Sequence, residues 1–156
     1  MSGCLDNVHC ECIEIGDRRN AVASVGGAAL FFIGWWILIG LLAVTAVEDF
    51  DRWYIVVAIV GSISMFMINA ISNSQVRGDA MSESILGTKG ARLWLLTGFV
   101  LGFGALIAAI WIMFAHYVLP AKVNIWPGIL LLIHNFLIFM GSLAYKFGRT
   151  EDLWGM

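Results

Sequence analysis

Uncharged apolar runs and short charged segments alternate along the chain. No Asp, Glu, Lys or Arg occurs from Ala21 to Val47, from Trp53 to Asn73, from Leu93 to Ala121, or from Val123 to Tyr145. At about 1.5 Å of rise per residue, roughly twenty helical residues cross a hydrocarbon core of about 30 Å. The pattern predicts an all-α membrane protein, four transmembrane helices in an antiparallel bundle, with spans over 21–47, 53–71, 93–119 and 127–145. Residues 1–20 precede this transmembrane domain (21–145), and residues 146–156 form a tail.

Composition sharpens the class. Of 156 residues, 60% are hydrophobic and 13% charged, against about 25% charged in soluble proteins. Every charge falls outside the apolar runs, as expected where a charge at the bilayer centre costs several kcal/mol. No basic surface is available for nucleic acid. Arg18-Arg19 lead into an apolar run too long for a signal-peptide h-region, so the first run reads as a retained span. Arg18, Arg19, Arg77, Lys89, Arg92, Lys146 and Arg149 lie on one side of the predicted membrane, and only Arg52 and Lys122 on the other. That asymmetry places both termini in the cytosol. The two far-side loops are short and contain neither cysteine nor an Asn-x-Ser/Thr sequon, which excludes a receptor ectodomain, a disulfide or an N-glycan there.

Within this frame, a few positions invite specific readings. Leu5, Val8, Cys12 and Ile15 share one helical face, so residues 1–20 form either a short helix on the membrane surface or a disordered leader. Trp35-Trp36, deep in the first span, are expected to pack on another helix or protein surface, because tryptophan otherwise prefers the headgroup level. Gly98, Gly102, Ala105 and Ala109 make a stripe of small residues along the third span. Such a stripe lets helix backbones approach, within this bundle, in a homodimer or against a foreign helix. Asn69 and Asn73, near the end of the second span, cap a helix or bond to a neighbouring one. The connection 72–92 reads as a polar loop with one short amphipathic turn at Met81 to Leu86.

Candidate chemistry is thin. His134 and Asn135 lie near mid-membrane, where ionisable groups often mark ion or proton routes. No Asp, Glu, Lys or Arg within a span could complete such a relay, and a neutral histidine bonded across the bundle fits equally well. His116 falls near the far interface and is expected to be wet. Cys4, His9, Cys10 and Cys12 form one compact cluster instead of the two separated pairs of a structural zinc site. Cys10-x-Cys12 beside a membrane suits reversible palmitoylation, or remains a pair of reduced thiols. The pairs Glu48/Asp49 and Glu151/Asp152 read as solvated loop charges. With no nucleophile elbow, phosphate loop or HExxH motif, no enzyme, metal or cofactor is expected.

Four strings carry a resemblance. They are Gly34-Trp35-Trp36; Ile68-Asn69-Ala70-Ile71-Ser72-Asn73-Ser74-Gln75-Val76-Arg77-Gly78-Asp79; Gly90-Ala91-Arg92-Leu93-Trp94-Leu95; and Phe147-Gly148-Arg149-Thr150-Glu151-Asp152-Leu153-Trp154. Through them essentially the whole chain resembles the transmembrane protein 50 family, which includes the fungal vacuolar protein sorting 68 protein. Gly155-Met156 after Trp154 are a departure from the family pattern. The resemblance implies a multi-pass protein of the endosome, Golgi or endoplasmic reticulum that serves sorting from late endosome to vacuole or lysosome. It implies a small tetraspan partner of the vacuolar protein sorting 55 or endospanin type, and no catalytic site. Asn69, Asn73, Gln75, Arg77, Gly78, Asp79, Arg92, Arg149, Glu151, Asp152 and Trp154 become candidate partner-contacting or topology-fixing positions.

The leading expectation is a non-enzymatic tetraspan adaptor embedded in membrane lipids. The alternatives are a small transporter or lipid-handling protein working through His134, Asn135 and Asn69, and an obligate accessory subunit of a channel, receptor or membrane enzyme.

Overall fold

A chain segment in hydrocarbon must satisfy its own backbone N–H and C=O groups, so each uncharged run is driven into a helix. The computed structural model describes residues 3–46, 48–78 and 87–149, with side chains from Arg18 onward. In order, these form α1 (Gly3–Val44), a 3-10 turn (Arg52–Tyr54), α2 (Ile55–Ala70), α3 (Asn73–Arg77), α4 (Gly87–Met113), a π-helical turn (Phe114–Val118) and α5 (Trp126–Gly148). Among the described residues, four stretches are long and apolar enough to cross a membrane: Arg18–Val44, Arg52–Ala70, Gly87–Val118 and Trp126–Gly148. No strand occurs among the described residues. The architecture is the predicted four-span helical bundle.

Three local features differ from expectation. Residues 3–20 are neither a separate surface helix nor an unstructured leader; they continue into the first span as one helix of 42 residues. No proline stops the helix anywhere in that stretch. The third span begins at Gly87, so Lys89 and Arg92 lie in the first turns of α4 and not in a loop. The residue that caps a helix after α2 is Ser72, not Asn73. Its hydroxyl accepts from the Gln75 N–H, the Gln75 side chain accepts from the Ser72 N–H, and Gly78 closes the turn at φ 89°. Arg92 then donates its Nε to the Val76 carbonyl at 3.0 Å, tying α4 to α3. The expected turn at Met81 to Leu86 lies outside the described residues.

Helix α5 is the spine of the bundle, touching α1, α2 and α4, while α4 packs on α2 and α5. Register follows from the close approaches. Gly27 faces Gly141, and Gly34 faces His134 and Ile138, so α1 and α5 run antiparallel. Gly98 meets Ile68 and Gly102 meets Ser64, so α4 and α2 are also antiparallel. These contacts leave little space. A Cβ on Gly27 would stand 3.0 Å from the Gly141 carbonyl oxygen, and one on Gly148 would stand 2.5 Å from the Ala23 Cβ. Gly98, Gly102, Ala105 and Ala109 are all buried on the inner face of α4. The small stripe therefore serves contact inside this bundle.

Away from the ends with Arg19 and Gly148, the bundle closes over Phe50, Leu38, Leu41, Ala58, Ile112, Tyr117 and Leu131. Tyr117 donates its hydroxyl to the Asp49 carbonyl at 2.9 Å. A Cβ on Gly128 would fall 2.7 Å from the Tyr117 ring, so glycine is needed there for the ring to fit. The chain leaves the π-turn through Ala121 at φ 50°, with Ala121 N–H bonded to Val118 O and Lys122 N–H to Tyr117 O. That pair of bonds is a Schellman stop with alanine in the left-handed position usually held by glycine, and it turns Lys122 back to within 5.1 Å of the Tyr117 ring centre.

Gly98→Leu or Gly102→Leu is expected to lower the melting temperature of the bundle in mild detergent, with an overpacking cost of about 1–3 kcal/mol. Gly104→Leu, where an added Cβ meets nothing within 4 Å, is expected to melt like the wild type. Equal melting of all three variants would contradict this packing.

Candidate functional site

On α5, Leu131, His134, Asn135, Ile138, Ser142 and Lys146 recur at helical spacing and are all buried. This face turns into the bundle, and its polar members meet polar groups of α1 and α2. His134 is 0% exposed, and its ring lies edge-on to Trp35, with centroids 5.4 Å apart and planes at 84°. Trp35 in turn donates its indole N–H to the Ser62 hydroxyl at 3.1 Å. Ser62 passes a bond to the Ala58 carbonyl one turn earlier on α2, at 3.0 Å. His134 lies eight residues past Trp126, so this layer is about 12 Å along α5 from that end.

Asn135 is 3% exposed and donates to the Leu131 carbonyl of its own helix at 3.0 Å. Its Oδ1 comes within 3.0 Å of where a Cβ on Gly61 would sit, so the glycine makes room for the amide. Towards the terminal end, Asn69 donates to Met65 O at 2.8 Å and reaches the Ser142 hydroxyl at 3.4 Å. One turn further, Lys146 is 6% exposed and donates its ammonium to the Ile71 carbonyl, just beyond the last turn of α2. Ser64 crosses from α2 to the Gly98 carbonyl of α4 at 2.7 Å, and Trp94 returns from α4 to the Met67 carbonyl at 3.1 Å. The polar groups thus bridge helices at successive levels.

Two buried amide oxygens in this seam, Oδ1 of Asn135 and Oδ1 of Asn69, have no hydrogen-bond partner, while the His134 ring faces the backbone of Gly34 and Ala58 without a hydrogen bond of good geometry. No carboxylate stands beside them, because the four uncharged runs hold no Asp or Glu. No described group of three or more His, Cys, Asp or Glu side chains converges to hold a metal. The seam can orient helices and hold its own polar groups.

The other predicted positions separate into groups. Trp35 packs inward, but Trp36 is 78% exposed on the outer face of α1, so the tryptophans do not share one packing role. Neighbours on a helix are about 100° apart, and on α1 that step carries Trp36 off the face that Trp35 turns inward. Asn73, Gln75, Arg77 and Gly78 build α3 and its caps. Arg149 bonds through Nη1 to the Tyr145 hydroxyl at 2.9 Å and lies over its ring. His116 is exposed and rests 5.6 Å from the Tyr54 ring. The side chains of Cys10 and Cys12, and residues Asp79, Glu151, Asp152 and Trp154, lie outside the described residues.

Sequence reasoning missed Ser62, Ser64, Ser142 and Lys146, as well as the glycine seam between α1 and α5. The seam has a signal: Gly27 and Gly34, and Gly141 and Gly148, each repeat after seven residues. The pocket of about 430 Å³ at the end away from the termini, bounded by Glu48, Asp49, Asp51, Tyr54, Tyr117 and Lys122, also escaped notice.

Comparison with known proteins covers nearly all of the chain. The uncharacterised protein family UPF0220 matches residues 4–154. The Transmembrane protein 50 homolog of Dictyostelium discoideum is 36% identical over 115 residues, spanning 67% of this chain and 71% of that protein. No solved structure matches.

Ser64→Ala is expected to destabilise the bundle by about 0.6–1.7 kcal/mol, the range for interhelical bonds in membranes. His134→Leu is expected to melt near the wild-type temperature, since leucine keeps the site apolar and no hydrogen bond of good geometry holds the ring. A large loss at His134 with none at Ser64 would reverse these assignments.

Proposed function

The chain belongs to the UPF0220 family, that of transmembrane protein 50, and on that premise we propose that it is a non-enzymatic tetraspan adaptor or accessory subunit of endosomal trafficking. In this reading it resides in endomembranes with both termini in the cytosol. It assembles laterally with another integral membrane protein, a small tetraspan of the vacuolar protein sorting 55 or endospanin type. Cargo then passes from late endosome to vacuole or lysosome in the company of that assembly.

The observation that carries the proposal is Trp36. Its indole is exposed on the outer face of α1, beside the layer in which Trp35 meets His134. Indoles favour the headgroup level, where their N–H is wet. An indole held outward at hydrocarbon depth supports a protein neighbour. One turn further on, Gly40 is open, with nothing within 4 Å of an added Cβ. A partner helix could approach the α1 backbone there and take the indole against its side. The interior supports the same reading, because the small stripe of α4 and most polar groups are already engaged within the bundle. The buried His134 ring favours the transport or lipid-handling alternative, for which the spans provide no carboxylate to continue a proton path.

Tagged protein at native expression, extracted in mild detergent, is expected to bring down one small tetraspan protein in stoichiometric amount. Trp36→Ala and Gly40→Leu are each expected to reduce that recovery about tenfold or more, as loss of an aromatic anchor does, with the melting temperature unchanged. Recovery of the protein alone, or of equal partner with both variants, would overturn the adaptor reading.

A further inference from the structure

Beside the α1–α5 seam, at the end holding Arg19 and Gly148, runs a groove of about 970 Å³. That volume is within the roughly 300–1,000 Å³ typical of small-molecule sites. Its walls include Val22, Gly26 and Ala29 from α1, and Ala144 and Phe147 from α5. Gly26 is what keeps it open: an added Cβ there would meet nothing within 4 Å. Unlike Gly27, its neighbour in sequence, Gly26 is not required by helix contact. Ala29 and Ala144 are exposed and small, so the groove stays recessed on both sides.

The groove changes character at one end only. Arg18 and Arg19 line it there, and among the described residues no acidic side chain does. Arg19 is anchored, because its Nε donates to the Gly148 carbonyl at 3.1 Å at the last turn of α5. An apolar trough inside the span that ends in two guanidinium groups at its margin matches a phospholipid in both polarity and direction. Guanidinium binds phosphate oxygens in a fixed fork, and alkyl chain burial is favoured by the trough.

We propose that this groove is a binding site for an anionic glycerophospholipid, with its phosphate at Arg18 and Arg19 and one acyl chain along Val22, Gly26 and Ala29. The occupant comes from the leaflet facing the termini, which on the orientation proposed above is the cytosolic one, rich in anionic lipid. Each arginine is expected to favour an anionic over a zwitterionic headgroup by about fivefold. The site does not depend on the partner face at Trp36.

The test is native mass spectrometry of the full chain, purified in detergent and offered equal phosphatidylserine and phosphatidylcholine. Wild-type protein is expected to retain phosphatidylserine with a preference of at least fivefold. The Arg18→Gln/Arg19→Gln double variant is expected to retain the two lipids equally. Gly26→Leu is expected to lose retention of both several-fold at an unchanged melting temperature. No preference in the wild type, or a preference that survives the double arginine change, overturns the assignment. So does a Gly26→Leu variant that releases a protein partner while keeping its lipid, which would make the groove a protein interface. A loss of lipid selectivity with the Trp36-dependent partner retained would separate this site from the adaptor reading.

Discussion

Lipid tails are as apolar as leucine, so no hydrophobic force gathers these helices once they are in the bilayer. What holds them is how closely their backbones can approach, and that is set by glycine. Gly27 and Gly141 each leave about 3 Å between an imagined Cβ and the other's carbonyl oxygen, and Gly148 admits Ala23 closer still. The same device recurs at Gly98 and Gly102 against Ile68 and Ser64. Because both seams end on helices that also contact α5, the fourth span becomes the axis about which the others are placed. Remove the close approaches and the polar groups between the helices would lose their reach.

Those polar groups decide register more than they supply attraction. Interhelical bonds in membranes contribute about 0.6 kcal/mol on average. Yet the α2–α5 contacts are spread along one line, from the close fit of Gly61 against Asn135, through the bond of Asn69 to Ser142, to that of Lys146 to Ile71. A slide of one helix by a turn would break every member of that series together. Tyr117 performs the equivalent task at the other end, where its hydroxyl fixes the loop at Asp49 to the π-turn after α4. Lys146 also shows how a charge can sit in a span's last turn: its ammonium reaches a backbone carbonyl left without a partner where α2 stops.

How far the sequence reveals this depends on what each feature is made of. The four spans were legible because exclusion of charge is a property of each run by itself. The stripe on α4 was legible for the same reason, and its alternatives reduced to one when Ile68 and Ser64 were found opposite it. The α1–α5 seam was not apparent, since hydropathy does not say which helices are neighbours and the paired glycines lie more than a hundred residues apart. Lys146 was counted as a surface cation because it follows an apolar run; only the position of Ile71 reveals its burial. Trp35 and Trp36 were read as a unit, although helical geometry alone separates them. The continuity of α1 was obscured by treating residues 1–20 as a segment with its own apolar face.

The outer surface is organised less evenly than the interior, and α1 is where the difference lies. Its inner face, through Ala23, Gly27, Gly34, Leu38 and Leu41, is buried. Val22, Gly26, Ala29, Ile33, Trp36 and Gly40 follow spacings of four, three, four, three and four along a flank about a third of a turn round from it. Eighteen residues make five full helical turns, so Val22 and Gly40 lie on the same line. The arginine-ended groove and the exposed indole are therefore two parts of one helical stripe. Its terminal half is hollow and edged with positive charge, and its farther half projects a tryptophan beside an open glycine. A lipid bound in the first would lie alongside a helix docked on the second, sharing the α1 surface between them. On the function proposed for this chain, such an arrangement would let the interior hold its own helices while α1 meets both lipid and partner.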